Sequence, residues 1–477
     1  MEKQPSLDEK QLSRVQKLLK NRKLILEPVV AILFFAIFLS AQVITNHITY
    51  RACRSELGES EEICRQLERK DGGMSSKDLE TRVQPFVATY QSYKVVIESL
   101  VPALMSLFVG AWSDKHGRKK VIFVAYSGFA LQFLIFYLLG TISSAISYSW
   151  YLLASLPIAV TGGNCILMST LMSYMADIST AEQRAKRVAS FQIGLIIGVF
   201  MGSGFSGLLN KTLGAVNLFF VSFVVLLFGF LYIFFRVPES IEVSSKHRAS
   251  GLKDLFKTDM IKEMAHSAFR PRKNHDRLIV WLIIANFAIT MFQQEGSQGL
   301  TFLYTREKFG WTLEDFSVLV IIATLLIIVG SQTGLALQKK LEWSDTKTGI
   351  FSTLSLVFSN FLNAQSTQSW HLYAAMFLGI FRALPDTLNR SILASVVASN
   401  EIGKINSLIG SIQAICSLVG SPTYTWIYRQ TIETNPGFYH YVTGCFFCLI
   451  ALSFGVIQLL QNEESVKKEK KMDKKVR

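Results

Sequence analysis

Arg382, Asp386 and Asn389 recur at i, i+4 and i+7 inside an otherwise apolar run, Trp370 to Ala398, with Arg390 beside them. At about 100° per residue this spacing gathers the first three on one helix face. Two guanidinium groups can hold a carboxylate or phosphate through paired N–H donors, and a nearby acid can carry a proton. Pro385 adds a break, because it cannot donate to the carbonyl of Phe381. Arg382 can pair with Asp386; that leaves Arg390 to an anionic ligand or to an acid from another span, such as Glu98.

A second polar group, Gln293-Gln294-Glu295-Gly296-Ser297-Gln298-Gly299, lies in the run Leu278 to Tyr304. Two glycines weaken the helix there, so its amides can bind a polar ligand or bond between helices. A third group, Tyr90, Lys94 and Glu98, shares one face of the run Pro85 to Trp112. Lys94 and Glu98 either neutralise each other or line a cavity, since an isolated charge at mid-bilayer costs at least about 2.5–3.5 kcal/mol. The candidate substrate-binding residues are therefore Arg390, Asn389, Arg382, Gln294 and Tyr90. The candidate proton carriers are Glu98, Glu295 and Asp386, because none of the seven histidines falls in the middle of a span; His47, His371 and His440 sit near span ends.

The elements that position these residues follow from composition. Half of the 477 residues are hydrophobic and 18% are charged, which suits a polytopic membrane protein. Runs of about 20 apolar residues, each long enough to cross a bilayer as a helix, recur along the chain, and twelve are expected. The fold class is an all-α membrane protein with six helices in each half. The formal charge of +14 is spread over short loops and tails, unlike the basic face of a nucleic-acid binder. No zinc-helix motif, Walker loop or nucleophile elbow points to an enzyme, and no cofactor is expected. Gly202-Ser203-Gly204-Phe205-Ser206-Gly207 spells a dinucleotide pattern but lacks the strand that such a site needs.

In order, the chain reads as a polar tail (1–23), a six-span half (24–236), a basic central segment (237–277), a second half (278–460) and a basic tail (461–477). Most Lys and Arg fall in segments assigned to the cytoplasm, which places both termini there. The basic end of the tail also matches a retrieval signal, and plasma membrane and lysosome both remain open. Residues 47–84 form the long extracytoplasmic loop, where Cys53 and Cys64 can bridge in an oxidising compartment. Asn210-Lys211-Thr212 is a glycosylation sequon. Gly194, Gly198 and Gly202 form a small-residue stripe for close helix packing. Leu252, Leu255, Phe256, Met260 and Met264 suggest an amphipathic helix on the membrane surface.

Between the second and third spans stands Gly110-Ala111-Trp112-Ser113-Asp114-Lys115-His116-Gly117-Arg118-Lys119-Lys120. Gly110 allows close helix approach, Asp114 can face a helix N-terminus, Gly117 permits a tight turn, and Arg118 with Lys119 can hold a carboxylate or a helix C-terminus. With Asp177 of the next short turn, these residues form a candidate gating latch. The pattern G-x-x-x-D-x-x-G-R-K resembles the loop between helices 2 and 3 of the major facilitator superfamily.

Further matches are Ala176-Asp177-Ile178-Ser179, Asn389-Arg390-Ser391-Ile392-Leu393 with Glu401-Ile402-Gly403-Lys404, and Ser421-Pro422-Thr423-Tyr424. Together they resemble the proton-coupled folate transporter family, which includes thymic stromal and lysosomal relatives. The resemblance implies alternating access, with Asp114, Arg118, Asp177 and Arg390 at positions that matter for transport. It also implies a small anionic substrate such as a folate, protons as partners, and muropeptides or cyclic dinucleotides as alternatives. Gln192 and Gln294 stand where the folate carrier has a Glu and a His. Gly310 replaces the second Cys of its disulfide. A receptor or scaffold that keeps the fold without transporting is the reading from another class.

Overall fold

The computed structural model describes residues 25–69, 74–142, 146–178, 181–240, 275–397 and 402–476. The N-terminal tail and the amphipathic stretch from Leu252 to Met264 lie outside the described residues, and so do the side chains of the basic C-terminal tail.

Every regular element among the described residues is helical. In chain order they are α1 (Glu27–Glu56), α2 (Glu61–Arg69), α3 (Met74–His116), α4 (Arg118–Thr141), α5 (Leu156–Thr161), α6 (Gly163–Asp177), α7 (Ala181–Leu213) and α8 (Ala215–Arg236). The second half contributes α9 (Asp276–Gln298), α10 (Leu300–Phe309), α11 (Leu313–Lys340), α12 (Asp345–Gln365), α13 (Ser369–Leu378), α14 (Leu384–Val396), α15 (Ile402–Thr431) and α16 (Phe438–Val476). A 3-10 turn, Tyr148–Ser155, leads into α5.

Among the described residues, eight helical spans are long and apolar enough to cross a membrane. The other four expected spans fall on α3, α12, the broken pair α13 and α14, and α15, whose polar residues dilute their apolar character. Large apolar side chains such as Phe228, Phe235, Leu452 and Leu459 stand exposed along α8 and α16, as a surface meant for lipid requires.

Residues 47–84, expected as one long polar loop, are instead largely helical. Helix α1 continues to Glu56, α2 follows, and α3 begins at Met74. Several of the polar residues that suggest solvent are satisfied internally, while others, such as Glu61 and Arg65, are exposed. His47 and Arg51 are buried, with His47 Nε2 3.0 Å from the Tyr151 hydroxyl and Arg51 Nη2 donating to the Gly140 carbonyl at 3.3 Å. Cys53 and Cys64 are joined by a disulfide across 5.8 Å between Cα atoms, tying α2 to the end of α1.

The chain divides into two compact units: Met1–Arg69, Ile97–Lys257 and Leu313–Val318 in one, Lys70–Val96, Thr258–Thr312 and Leu319–Arg477 in the other. In the first, the glycine stripe of α7 meets α1. A Cβ on Gly198 would lie 2.5 Å from the Ala31 carbonyl oxygen, and one on Gly194 2.8 Å from that of Glu27, so only glycine lets these backbones come together. Asn210 falls in the last turn of the same helix rather than in a loop. The second unit has an apolar core that includes Ile283, Phe287, Leu356, Leu388, Ile409, Ile450 and Phe454.

The first part of α3 belongs to this second unit, and a buried polar network explains why. Arg306 Nε donates to Glu80 Oε1 at 2.7 Å, with both side chains 1% exposed. Gln84 Nε2 donates to Glu80 Oε1 at 2.9 Å and to the Leu303 carbonyl at 3.0 Å, and its own Oε1 accepts from the Tyr428 hydroxyl at 2.5 Å. Thr81 donates to Glu307 at 2.6 Å. The start of α3 is thereby fixed to α10 and α15.

Candidate functional site

Arg118, Lys119, Asp177 and Gly117, four of the residues expected to form a latch, lie in the first unit around the N-terminus of α4. Gly117 takes φ 108°, a conformation that favours glycine, and turns the chain sharply between α3 and α4. Arg118 Nε donates to Asp177 Oδ2 at 3.1 Å, and its Nη1 donates to Ser113 Oγ at 2.8 Å. Lys119 Nζ donates to the carbonyl of Phe234 in the last turn of α8 at 2.8 Å. Gly110 and Asp114 sit on the last turns of α3, and their side-chain surroundings lie outside the described residues.

Glu239, which the sequence did not single out, completes this cluster. Its Oε1 accepts from the backbone N–H groups of Arg118 at 2.8 Å and Lys119 at 3.2 Å. An anion at the positive end of α4 satisfies orphan donors and complements the helix dipole. Ser240 Oγ then donates to Asp177 Oδ2 at 3.1 Å, linking the two carboxylates through adjacent residues.

The second unit contains a cavity of about 190 Å³ bordered by α9 to α14 and α16. Its polar wall comes from Gln293, Gln294, Asn360, Arg382, Asp386 and His440, with hydroxyls from Ser297, Ser359, Thr301 and Thr443. Two helix breaks place these groups. The seventh span divides at Gly299, where α9 gives way to α10, and the tenth divides between Leu378 and Leu384. Pro385 stands in the first turn of α14, a position that leaves no N–H unsatisfied and fits its fixed φ. Arg382 lies in the break itself and Asp386 in the first turn after it.

The break is held from two sides. Ser359 Oγ donates to the Ala375 carbonyl at 2.6 Å, and Ser355 Oγ donates to that of Leu378, so α12 satisfies carbonyls freed where α13 ends. From α11, Gly330 lies so close that an added Cβ would land on the Ile380 carbonyl. We therefore expect Gly330→Ala to shift the break that carries Arg382, with an overpacking cost of about 1–3 kcal/mol. Uptake should fall and the melting temperature drop. Gly455→Ala, with nothing within 4 Å of the new Cβ, is the control expected to do neither. Wild-type behaviour of Gly330→Ala would show that the break does not depend on this contact.

Charge in the cavity is close but not neutralised by contact. Arg382, Asp386 and His440 border the same cavity, yet among the described residues no ion pair within 4.0 Å joins Arg382 to Asp386. The expected direct pair on the helix face is therefore replaced by two charges that share a cavity. Asp386 Oδ1 is enclosed and has no hydrogen-bond partner, and the same holds for Gln293 Oε1. The arrangement can hold a small anionic group at Arg382 while presenting hydrogen-bond acceptors around it.

Of the residues expected at a substrate site, Arg382 and Gln294 border this cavity; Arg390, Asn389 and Tyr90 do not. The Arg390 guanidinium lies 5.0 Å from the Phe287 ring centre. Asn389 is fully buried and accepts from Asn286 Nδ2 at 3.2 Å. Tyr90 is buried in the second unit. Of the three candidate proton carriers, Asp386 borders the cavity, while Glu98 lies in the first unit and accepts from Gln132 Nε2 at 2.6 Å. Glu295 does not border the cavity. His440 was missed because a lone histidine near the end of a span carries no signal of what it will face.

Residues 30–421 match the model of the Major Facilitator Superfamily. The probable peptidoglycan muropeptide transporter SLC46 of Drosophila melanogaster is 27% identical over 448 residues, covering 91% of this chain and 85% of that protein. The proton-coupled folate transporter of Rattus norvegicus is 22% identical over 443 residues, 91% of each chain. Among solved structures, the human organic anion transporter MFSD10 (TETRAN) superposes with a TM-score of 0.60 at 14% identity, over 94% of this chain and 100% of that one. This is a multi-pass membrane protein of a transporter fold and not an enzyme. The chain belongs to the Major Facilitator Superfamily.

Proposed function

We propose that the protein is a secondary carrier of a small organic anion, coupled to protons and working by alternating access. The observation that carries this reading is the cavity in which Arg382 and the unpartnered carboxylate of Asp386 face the same space. Coupling follows from their proximity. An ionised Asp386 competes with an incoming anion for the field of Arg382; a protonated Asp386 leaves that field to the anion. Proton and anion then favour each other's binding, as symport requires. Gln294 lines the same space, and Arg390 offers a second cation on α14. Glu98 and Glu295 stand as further proton carriers. Arg118, Lys119, Asp177 and Glu239 set the balance between conformations.

The wall composition favours an amide-rich solute over a flat heterocycle. Amides and hydroxyls supply most of its polar groups, and Tyr304 is packed edge-on among Phe309, Tyr439 and His440 rather than paired across the space for stacking. This suits a muropeptide-like anion better than a folate, in keeping with the name of the fly relative.

Uptake of labelled folate, muramyl dipeptide and a cyclic dinucleotide, compared at about pH 5.5 and about pH 7.4, tests the reading. Acid-stimulated uptake of one of them is the expected outcome, with muramyl dipeptide ahead. Arg390→Ala should lower that uptake without changing the amount at the membrane; an unchanged rate would remove Arg390 from the pathway. Binding of a solute with no flux would instead favour a receptor that keeps the fold.

A further inference from the structure

His440 borders the cavity, and two hydrogen bonds determine which of its ring nitrogens carries the proton in the neutral form. Asn360 Nδ2 donates to the Leu356 carbonyl at 2.9 Å. A carbonyl can only accept, so the amide group turned toward it must be the NH2, and Asn360 Oδ1 is the atom left for His440. The imidazole Nδ1 lies 3.3 Å from that oxygen, which can only accept as well. Nδ1 therefore carries a proton, and whenever the ring is neutral Nε2 holds the lone pair.

The ring cannot swing away from this role. It stacks on Tyr439 at 4.2 Å between centres and meets the edge of Tyr304 at 5.3 Å. No hydrogen bond engages His440 Nε2 among the described residues, although His440 borders the cavity. Around the same space Asp386 Oδ1 and Gln293 Oε1 are also acceptors without donors. A cavity that offers one guanidinium and several open acceptors is matched by a solute that carries hydrogen-bond donors beside its anionic group.

We propose that His440 is a specificity-determining residue of the transport site: its Nε2 accepts a hydrogen bond from an amide N–H or a hydroxyl of the transported anion, and Asn360 sets the tautomer that makes this possible. The proposal rests on the cavity being the transport site. It names the class of solute as an amide-bearing or polyhydroxylated organic anion and disfavours simple carboxylates.

Two variants separate the two ring nitrogens. In His440→Asn the side-chain NH2 can still donate to Asn360, while the acceptor toward the cavity is lost; in His440→Gln the longer amide can restore an acceptor near the position of Nε2. For whichever of the three solutes is taken up, His440→Asn should raise KM about tenfold with Vmax nearly kept, and His440→Gln should raise it much less. Equal KM for wild type and His440→Asn would overturn the proposal. A second measurement needs no solute. Diethyl pyrocarbonate modifies unprotonated, accessible imidazole nitrogens, so purified protein should be carbethoxylated at His440 as well as at His275, whose side chain is 42% exposed. Reaction at His275 alone would overturn the assignment of an open Nε2. If none of the three solutes is transported, the transport reading fails, and the labelling still decides whether the acceptor is there.

Discussion

Arg306→Ala is expected to destabilise the protein by about 3–5 kcal/mol, because it would leave the Glu80 carboxylate without its guanidinium in a place that water does not reach. Both partners are 1% exposed, and the bond between them is 2.7 Å. The loss propagates. Glu80 also accepts from Gln84, and Gln84 in turn holds the Leu303 carbonyl and the Tyr428 hydroxyl, so one truncation disturbs α3, α10 and α15 together. Purified in detergent, the variant should melt several degrees below wild type and reach the membrane in lower amount. The double variant Glu80→Leu with Arg306→Met removes both charges and retains apolar volume, so it should recover much of that stability. A melting temperature unchanged by Arg306→Ala would mean that the pair is hydrated in the native protein.

This network also shows where the sequence was readable and where it was not. The helical plan, the glycine contacts of α7 with α1, the disulfide and the break before Pro385 all depend on local patterns: apolar runs, i+4 glycines, two cysteines in one segment, a proline in a span. Each leaves its mark within a few residues. Glu80 and Arg306 are 226 positions apart, and each alone looks like a charge beside a span end. Residues 47–84 read as a solvated loop for the same reason: polarity in a sequence does not say whether the partner is water or another side chain. Glu239 was invisible because its partners are backbone N–H groups, which every sequence has.

The candidate site was legible in part. Helical spacing found Arg382, Asp386 and the glutamine cluster, but it placed Arg382, Asp386 and Asn389 on one face although Pro385 marked a break among them. The break between α13 and α14 separates what the ideal wheel joined: Arg382 lies before the new helix begins, and Asn389 is buried against Asn286 instead of facing the cavity. His440 entered the site through the packing of α16 with α12, where it meets Asn360.

Arg382→Ala should reduce uptake by roughly 10- to 100-fold, the loss of one hydrogen bond to a charged group, while Asp386→Asn should act on the pH profile rather than on the maximum. Arg382 is exposed and borders the cavity, so its charge is available to a solute. Lysine at this position should restore only part of the rate, since it offers a point charge in place of a planar fork. In Asp386→Asn the competing carboxylate is permanently neutral, as it is in wild type once protonated. Anion binding at neutral pH should then approach its acid value, and the ratio of uptake at about pH 5.5 to uptake at about pH 7.4 should fall toward one. Uptake of the same solute at both pH values, normalised to protein at the membrane, measures the ratio. An Asp386→Asn variant that retains the full acid stimulation would transfer the coupling proton to Glu98 or Glu295, the other acids in the spans. If Arg382→Ala retained wild-type uptake, the anion would be held elsewhere, and Arg390 would be the next cation to replace.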